Sequence, residues 1–127
     1  MKNEYKAAVY LRVACEDNLA LETQTDVVTQ FANDNGFADC RYYCDNGASG
    51  ITLNRPSMNR LMADISNGEI KTVIVKDLSR LCRGIPPLVE FQTFAEAHGV
   101  KVISVQDGGL ENWASHLALY KAFAMAM

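Results

Sequence analysis

The sequence predicts an α/β fold of three layers, a mostly parallel central sheet with helices on both faces. Three observations predict it. Short, nearly continuous apolar runs recur along the chain, segments with apolar residues three and four positions apart lie between them, and a glycine closes three of those segments. Strands separated by helices require crossover connections, and crossovers imply parallel pairing with both sheet faces buried.

The first strand is expected over residues 6 to 13, where Ala7, Ala8, Val9, Leu11 and Val13 are apolar. A helix follows from Leu21 to Asn35, with Val27, Val28 and Phe31 at helical spacing and Gly36 as a left-handed cap. Cys40, Tyr42 and Cys44 alternate with Arg41 and Tyr43 in a second strand that ends at the loop "DNGASG", residues 45 to 50. Pro56 suits the first position of the next helix. In that helix Met58, Leu61, Met62 and Ile65 form one apolar face, and Gly68 closes it. The methionines are read as core. "TVIV" at 72 to 75 is apolar on both faces, as a central parallel strand should be. A helix from about Pro86 to His98 ends at Gly99, and "VKVISV" at 100 to 105 is the fourth strand. The last helix starts near Asn112 and carries Leu117, Tyr120, Ala124 and Met127 on one face. It has no terminal Gly or Pro, so it is expected to run on past residue 127 and the chain to be a fragment.

Composition narrows the class. A chain of 127 residues with 49% hydrophobic and 21% charged residues is expected to form one domain with a real core, over residues 1 to 127. No apolar run approaches the ~20 residues that span a bilayer, and the start "MKNEYK" has no apolar signal region. The expected setting is cytoplasmic, with no membrane partner. Cys15, Cys40, Cys44 and Cys82 lack C-x-x-C spacing, and His98 and His116 are far apart. Buried reduced thiols are therefore expected rather than a zinc site, with no metal and no cofactor. The net charge of -3 argues against a generally basic coat, so a polyanion must be met by a local cluster.

Such a cluster is legible. Open parallel sheets bind ligands at the carboxyl ends of their strands. Arg12 and Ala14 end the first strand, Asp45 the second, "KDLSRLCR" from Lys76 to Arg83 follows the third, and Asp107 the fourth. Tyr10, Arg12 and Ala14 share a strand face, and Cys15 points away. Arg80 and Arg83 fall on one side if their loop makes a helical turn, and Arg55 could close over them. Guanidinium forks match phosphate oxygens, so these arginines suggest a phosphate site. The competing reading is a set of surface salt bridges with Asp77, Glu90 and other acids; placement at the strand ends favours the phosphate. A phosphoacceptor regulator on the same sheet would need carboxylates where Arg12 and Arg80 stand.

Three motifs, "YLRVA", "DNGASG" followed by "NRPSM", and "VIVKDLSRLCRG", carry a family resemblance. In order and spacing they resemble the catalytic domain of the serine site-specific recombinases, the resolvase and invertase group and its large, transposon-borne relatives. The likeness runs from Tyr5 to the final helix. In that family the first motif reads Tyr-x-Arg-x-Ser, and the serine attacks a DNA phosphodiester. Here that position is Ala14. The resemblance places Tyr10 and Arg12 on the first motif, Gln24 on a glutamine of the first helix, and Asp45 and Ser49 on the acidic loop. It places Arg55 before the second helix and Arg80 and Arg83 on the pair after the third strand. Ser79 stands where many resolvases have aspartate and the large relatives commonly carry serine, and Cys82 replaces a usual glycine.

The resemblance implies DNA cleavage and rejoining through a phosphoserine intermediate, with arginines rather than a metal stabilising the charge. It also implies a homodimer held by the long last helix, a tetramer in the synaptic complex, and a DNA-binding region outside these residues. With Ala14 the chain is expected to be inactive. The pattern is otherwise largely complete, which favours a deliberate Ser-to-Ala exchange over a degenerate copy. Asp45 is read either as a base or as an orienting partner, and His98 and His116 as surface or capping residues. The alternative function is a noncatalytic α/β dimerisation or regulatory module in DNA transactions.

Overall fold

The computed structural model describes residues 6–13, 17–37, 39–47, 53–81 and 85–106. Ala14, Cys15, Ser49, Cys82, Arg83, Asp107, His116 and the expected last helix lie outside the described residues. The elements are β1 (Lys6–Val13), α1 (Asn18–Asp34), β2 (Cys40–Asn46), α2 (Pro56–Ser66), β3 (Ile70–Val75), α3 (Leu78–Leu81), α4 (Ile85–Ala97) and β4 (Lys101–Ser104). The sheet has the order β2-β1-β3-β4, and every neighbouring pair is parallel.

β1 is apolar on both faces because it serves two cores. Ala8 and Tyr10 face the cluster built on Met58, Leu61 and Ile65 of α2 and Phe91 and Ala95 of α4. Ala7, Val9 and Leu11 face Val28 and Ala32 of α1. The three layers are therefore α1, the sheet, and α2 with α4. Among the described residues no helix is long and apolar enough to cross a membrane.

Among the described residues the expected elements are present, with informative shifts. α1 begins at Asn18, before the apolar periodicity, because Asp17 accepts a hydrogen bond from the Ala20 N–H at 3.0 Å and caps the helix. Its end is as expected: Gly36 has φ of 84° while Phe37 N–H returns to Ala32 O at 2.8 Å. In β2 the alternation holds, but the deeply buried set is Tyr43 and Asp45, whereas Tyr42 is 44% exposed. β2 is an edge strand, so Cys40 and Cys44 are half-buried free thiols rather than fully buried ones. Partial burial still pushes both thiols up from the ordinary thiol range.

The pairing lengths on the two sides of β1 are unequal. β1 pairs with β2 as far as Val13↔Asn46, but with β3 only as far as Val9↔Ile74. The Arg12 peptide thus has a strand neighbour on one side and must find other partners on the side of β3.

Leu61 has no exposed surface and Leu19 is 72% exposed. Leu61→Ala is expected to cost about 2–5 kcal/mol of stability, and Leu19→Ala to stay within about 0.5 kcal/mol of the parent. Urea denaturation followed by circular dichroism measures both.

Candidate active site

Asp45, the penultimate residue of β2, lies beside Arg12 in the sheet register. One of its carboxylate oxygens accepts the Ser57 N–H at 2.9 Å, and the other accepts the Met58 N–H at 3.0 Å. Arg55 holds the N-cap position of α2 and makes no side-chain cap bond. The cap therefore comes from another strand, and a negative charge sits at the positive end of the α2 dipole. The Ser57 hydroxyl adds a bond to Cys44 O at 2.6 Å.

The Tyr10 hydroxyl completes the Asp45 shell by donating to it at 2.7 Å, and itself accepts from Arg55 Nη1 at 2.7 Å. The Arg55 guanidinium also lies 5.6 Å from the centre of the Tyr10 ring. Burial, reinforced by the bond to Asp45, raises the Tyr10 phenol above its ordinary value, so the hydroxyl keeps its proton. The direction of the relay is thereby set: Arg55 donates to Tyr10, and Tyr10 to Asp45. Asp45 is thus linked to Arg55 through the phenol.

The α3 turn gathers the arginines. Arg12, 1% exposed, donates from Nε to Arg80 O at 3.1 Å, and Arg80 Nη1 donates back to Arg12 O at 3.3 Å. Arg55, 3% exposed, donates to Arg80 O at 3.5 Å and to Leu81 O. Gln24 brackets the Arg12 peptide, accepting its N–H at 3.1 Å and donating to its carbonyl at 3.2 Å. Arg80 is the most open of the three. Its Nε lies 3.5 Å from Asp77, an ion pair without hydrogen-bond alignment, and that nitrogen has no hydrogen-bond partner among the described residues.

Six of the site residues expected from the sequence, Tyr10, Arg12, Gln24, Asp45, Arg55 and Arg80, are thus joined in one network at the carboxyl ends of β1 and β2. Ser79 belongs to the α3 turn, while Ala14, Ser49 and Arg83 are outside the description. Arg80 has an ion pair with Asp77, as the salt-bridge reading expects; Arg12 and Arg55 are buried, and the bonds described above run to carbonyls and a phenol. Buried guanidinium groups need fixed acceptors, and the carbonyls supply them. Sequence reasoning missed the Asp45 cap, although its signal was present: the residue directly before Pro56 is Arg55, not a Ser, Thr, Asp or Asn.

Other polar groups serve the frame. Arg41 bonds Asp64 at 3.1 Å and Glu69 at 2.7 Å, tying β2 to the end of α2. Burial, then the hydroxyl's bond to Asp64, pushes the Tyr43 phenol up to about 12. The His98 ring packs on Phe94 and meets its carbonyl at 2.8 Å, the capping role expected for it. Among the described residues no group of three or more His, Cys, Asp or Glu is arranged to hold a metal.

Residues 7–125 match the family described as Resolvase, N terminal domain. Over 80 residues the chain is 38% identical to a Bacillus subtilis (strain 168) protein named "Putative DNA recombinase", covering 60% of this chain and 15% of that protein. The fold is similar to the N-terminal catalytic domain of TP901-1 integrase, with TM-score 0.85, 27% identity and 94% of each chain covered. It is also similar to a resolvase family site-specific recombinase from Streptococcus pneumoniae, with TM-score 0.80 and 26% identity over 97% of this chain and 87% of that one.

Tyr10→Phe leaves a buried Arg55 donor and the Asp45 acceptor each short of one partner, and is expected to cost about 1–3 kcal/mol. Both phenols titrate higher in the folded chain than in the unfolded one. The stability they confer is full below about pH 10 and is lost as pH rises further, through about 12 for Tyr43. The half-buried thiols, also raised, add a loss that begins near pH ~8.5. Urea midpoints should therefore fall above that pH, less steeply in Tyr10→Phe.

Proposed function

The chain belongs to the resolvase N-terminal domain family, and on that premise we propose that it is the catalytic domain of a serine recombinase, inactive because Ala14 occupies the nucleophile position. The observation that carries this reading is the convergence of Arg12, Arg55 and Arg80, from three separate segments, on the α3 turn at the carboxyl end of the sheet. In sequence, position 14 follows directly on the strand that carries Arg12.

In the proposed reaction a serine oxygen at position 14 attacks a DNA phosphorus, the bond to the 3′ oxygen breaks, and that oxygen leaves as a hydroxyl after taking a proton. The 5′ phosphate stays on the serine as an ester. The ester conserves the energy of the broken bond, so attack by a 3′ hydroxyl rejoins the strand. Negative charge grows on the nonbridging oxygens and on the leaving oxygen. Guanidinium groups already oriented by carbonyls stabilise that charge with little reorganisation. The methyl of Ala14 offers no oxygen, so the first step cannot occur. Ser49, Ser79 and Arg83 enter this site by resemblance to the family motifs.

The partner is the DNA backbone, in a cytoplasmic setting. The relative from Bacillus subtilis is much longer than this chain, and the reading assigns selection of a DNA sequence to regions outside these 127 residues. The last helix would supply the homodimer contact, and a tetramer would form the synaptic complex. With a net charge of -3, the domain alone should bind duplex DNA weakly and without sequence preference.

Ala14→Ser in the full-length protein is expected to produce a covalent adduct at the 5′ end of cut cognate DNA, in the presence of EDTA, on denaturing electrophoresis. The parent should produce none. A folded, DNA-binding serine variant that gives neither adduct nor rejoined product would replace this reading with the noncatalytic module. In the serine background, Arg80→Ala should slow cleavage about 10²-fold or more while DNA affinity changes little.

A further inference from the structure

We propose that Gln24 is a positioning residue for strand cleavage: its carboxamide stands in for the strand neighbour that Arg12 lacks, and so sets Arg12 and Arg80 relative to each other. The inference rests on the recombinase reading above. It begins with the sheet: β3 stops pairing with β1 at Val9↔Ile74, leaving the Arg12 peptide without a strand partner on that side. A parallel neighbour would offer one acceptor and one donor there. Gln24 offers both, its oxygen 3.1 Å from the Arg12 N–H and its nitrogen 3.2 Å from the Arg12 carbonyl. A carboxamide carries an acceptor and a donor at this spacing without a charge at any working pH.

Two further features give the clamp a consequence. The Arg12 carbonyl that Gln24 holds also receives Arg80 Nη1 at 3.3 Å, while Arg12 Nε reaches back to Arg80 O at 3.1 Å. One peptide therefore sets the separation of two guanidinium groups. Gln24 itself is 1% exposed and cannot reach a DNA strand, so its effect must pass through Arg12. Its own position is fixed one helical turn away by Val28, which has no exposed surface in the α1 core.

The test uses Gln24→Met, which keeps the length of the side chain and removes both hydrogen bonds, with Val28→Ala as a variant that weakens the same helix face and spares the clamp. Cleavage is followed in a single turnover at saturating DNA, in the full-length protein carrying Ala14→Ser. Gln24→Met should slow cleavage at least tenfold with the DNA Kd within twofold, whereas Val28→Ala should leave the rate within twofold. In the chain with Ala14, the Arg12 amide should exchange its hydrogen faster in Gln24→Met than in the parent. Equal cleavage rates in Gln24→Met and its parent, or an equal loss in Val28→Ala, overturn the inference. Absence of an adduct from the Ala14→Ser protein overturns the recombinase reading instead. The clamp is then judged by the Arg12 amide alone, and unchanged exchange in Gln24→Met overturns it.

Discussion

The carboxylate of Asp45 is the interaction on which the rest of the site depends. It joins β2 to the first turn of α2 through the Ser57 and Met58 N–H groups and joins both to β1 through Tyr10. A helix start buried against a sheet would otherwise leave orphaned donors, each costing about 1–3 kcal/mol. Because α2 lends no cap of its own, the angle at which it leaves the sheet is set by a residue eleven positions before its first turn begins. That angle places Arg55.

Arg55 then links this corner to the next. Its guanidinium spans the Tyr10 hydroxyl and the carbonyls of Arg80 and Leu81, so the α3 turn is drawn toward β1. Arg12 and Arg80 close the loop by exchanging hydrogen bonds between side chain and main chain. Three like charges in so small a region repel one another, and the neutral carbonyls do not cancel that repulsion. They hold each guanidinium in one orientation.

Most of the fold was legible in the sequence because burial imposes a period. β1 and β3 read as strands apolar on both faces since each serves two cores, and α2 read as a one-sided helix since Met58, Leu61 and Ile65 face the sheet. Errors arose where polarity carried the structure. α1 starts at a polar cap that apolar spacing does not reveal, and the cysteines of β2 are half-buried because the strand lies at an edge, a property of topology rather than of local pattern.

The candidate site divides along the same line. The sequence by itself determined which residue types meet at the strand ends, Tyr10, Arg12, Asp45, Arg55 and Arg80, and that an alanine stands where the family motif has its serine. Only the tertiary structure decided what those groups touch. Main-chain carbonyls such as those of Arg12, Arg80 and Leu81 exist at every residue and leave no mark in a sequence, yet they orient the guanidinium groups here. The Asp45 cap and the Gln24 clamp likewise join residues far apart in the chain, and they arise because a buried peptide group must find a partner wherever the fold happens to bring one.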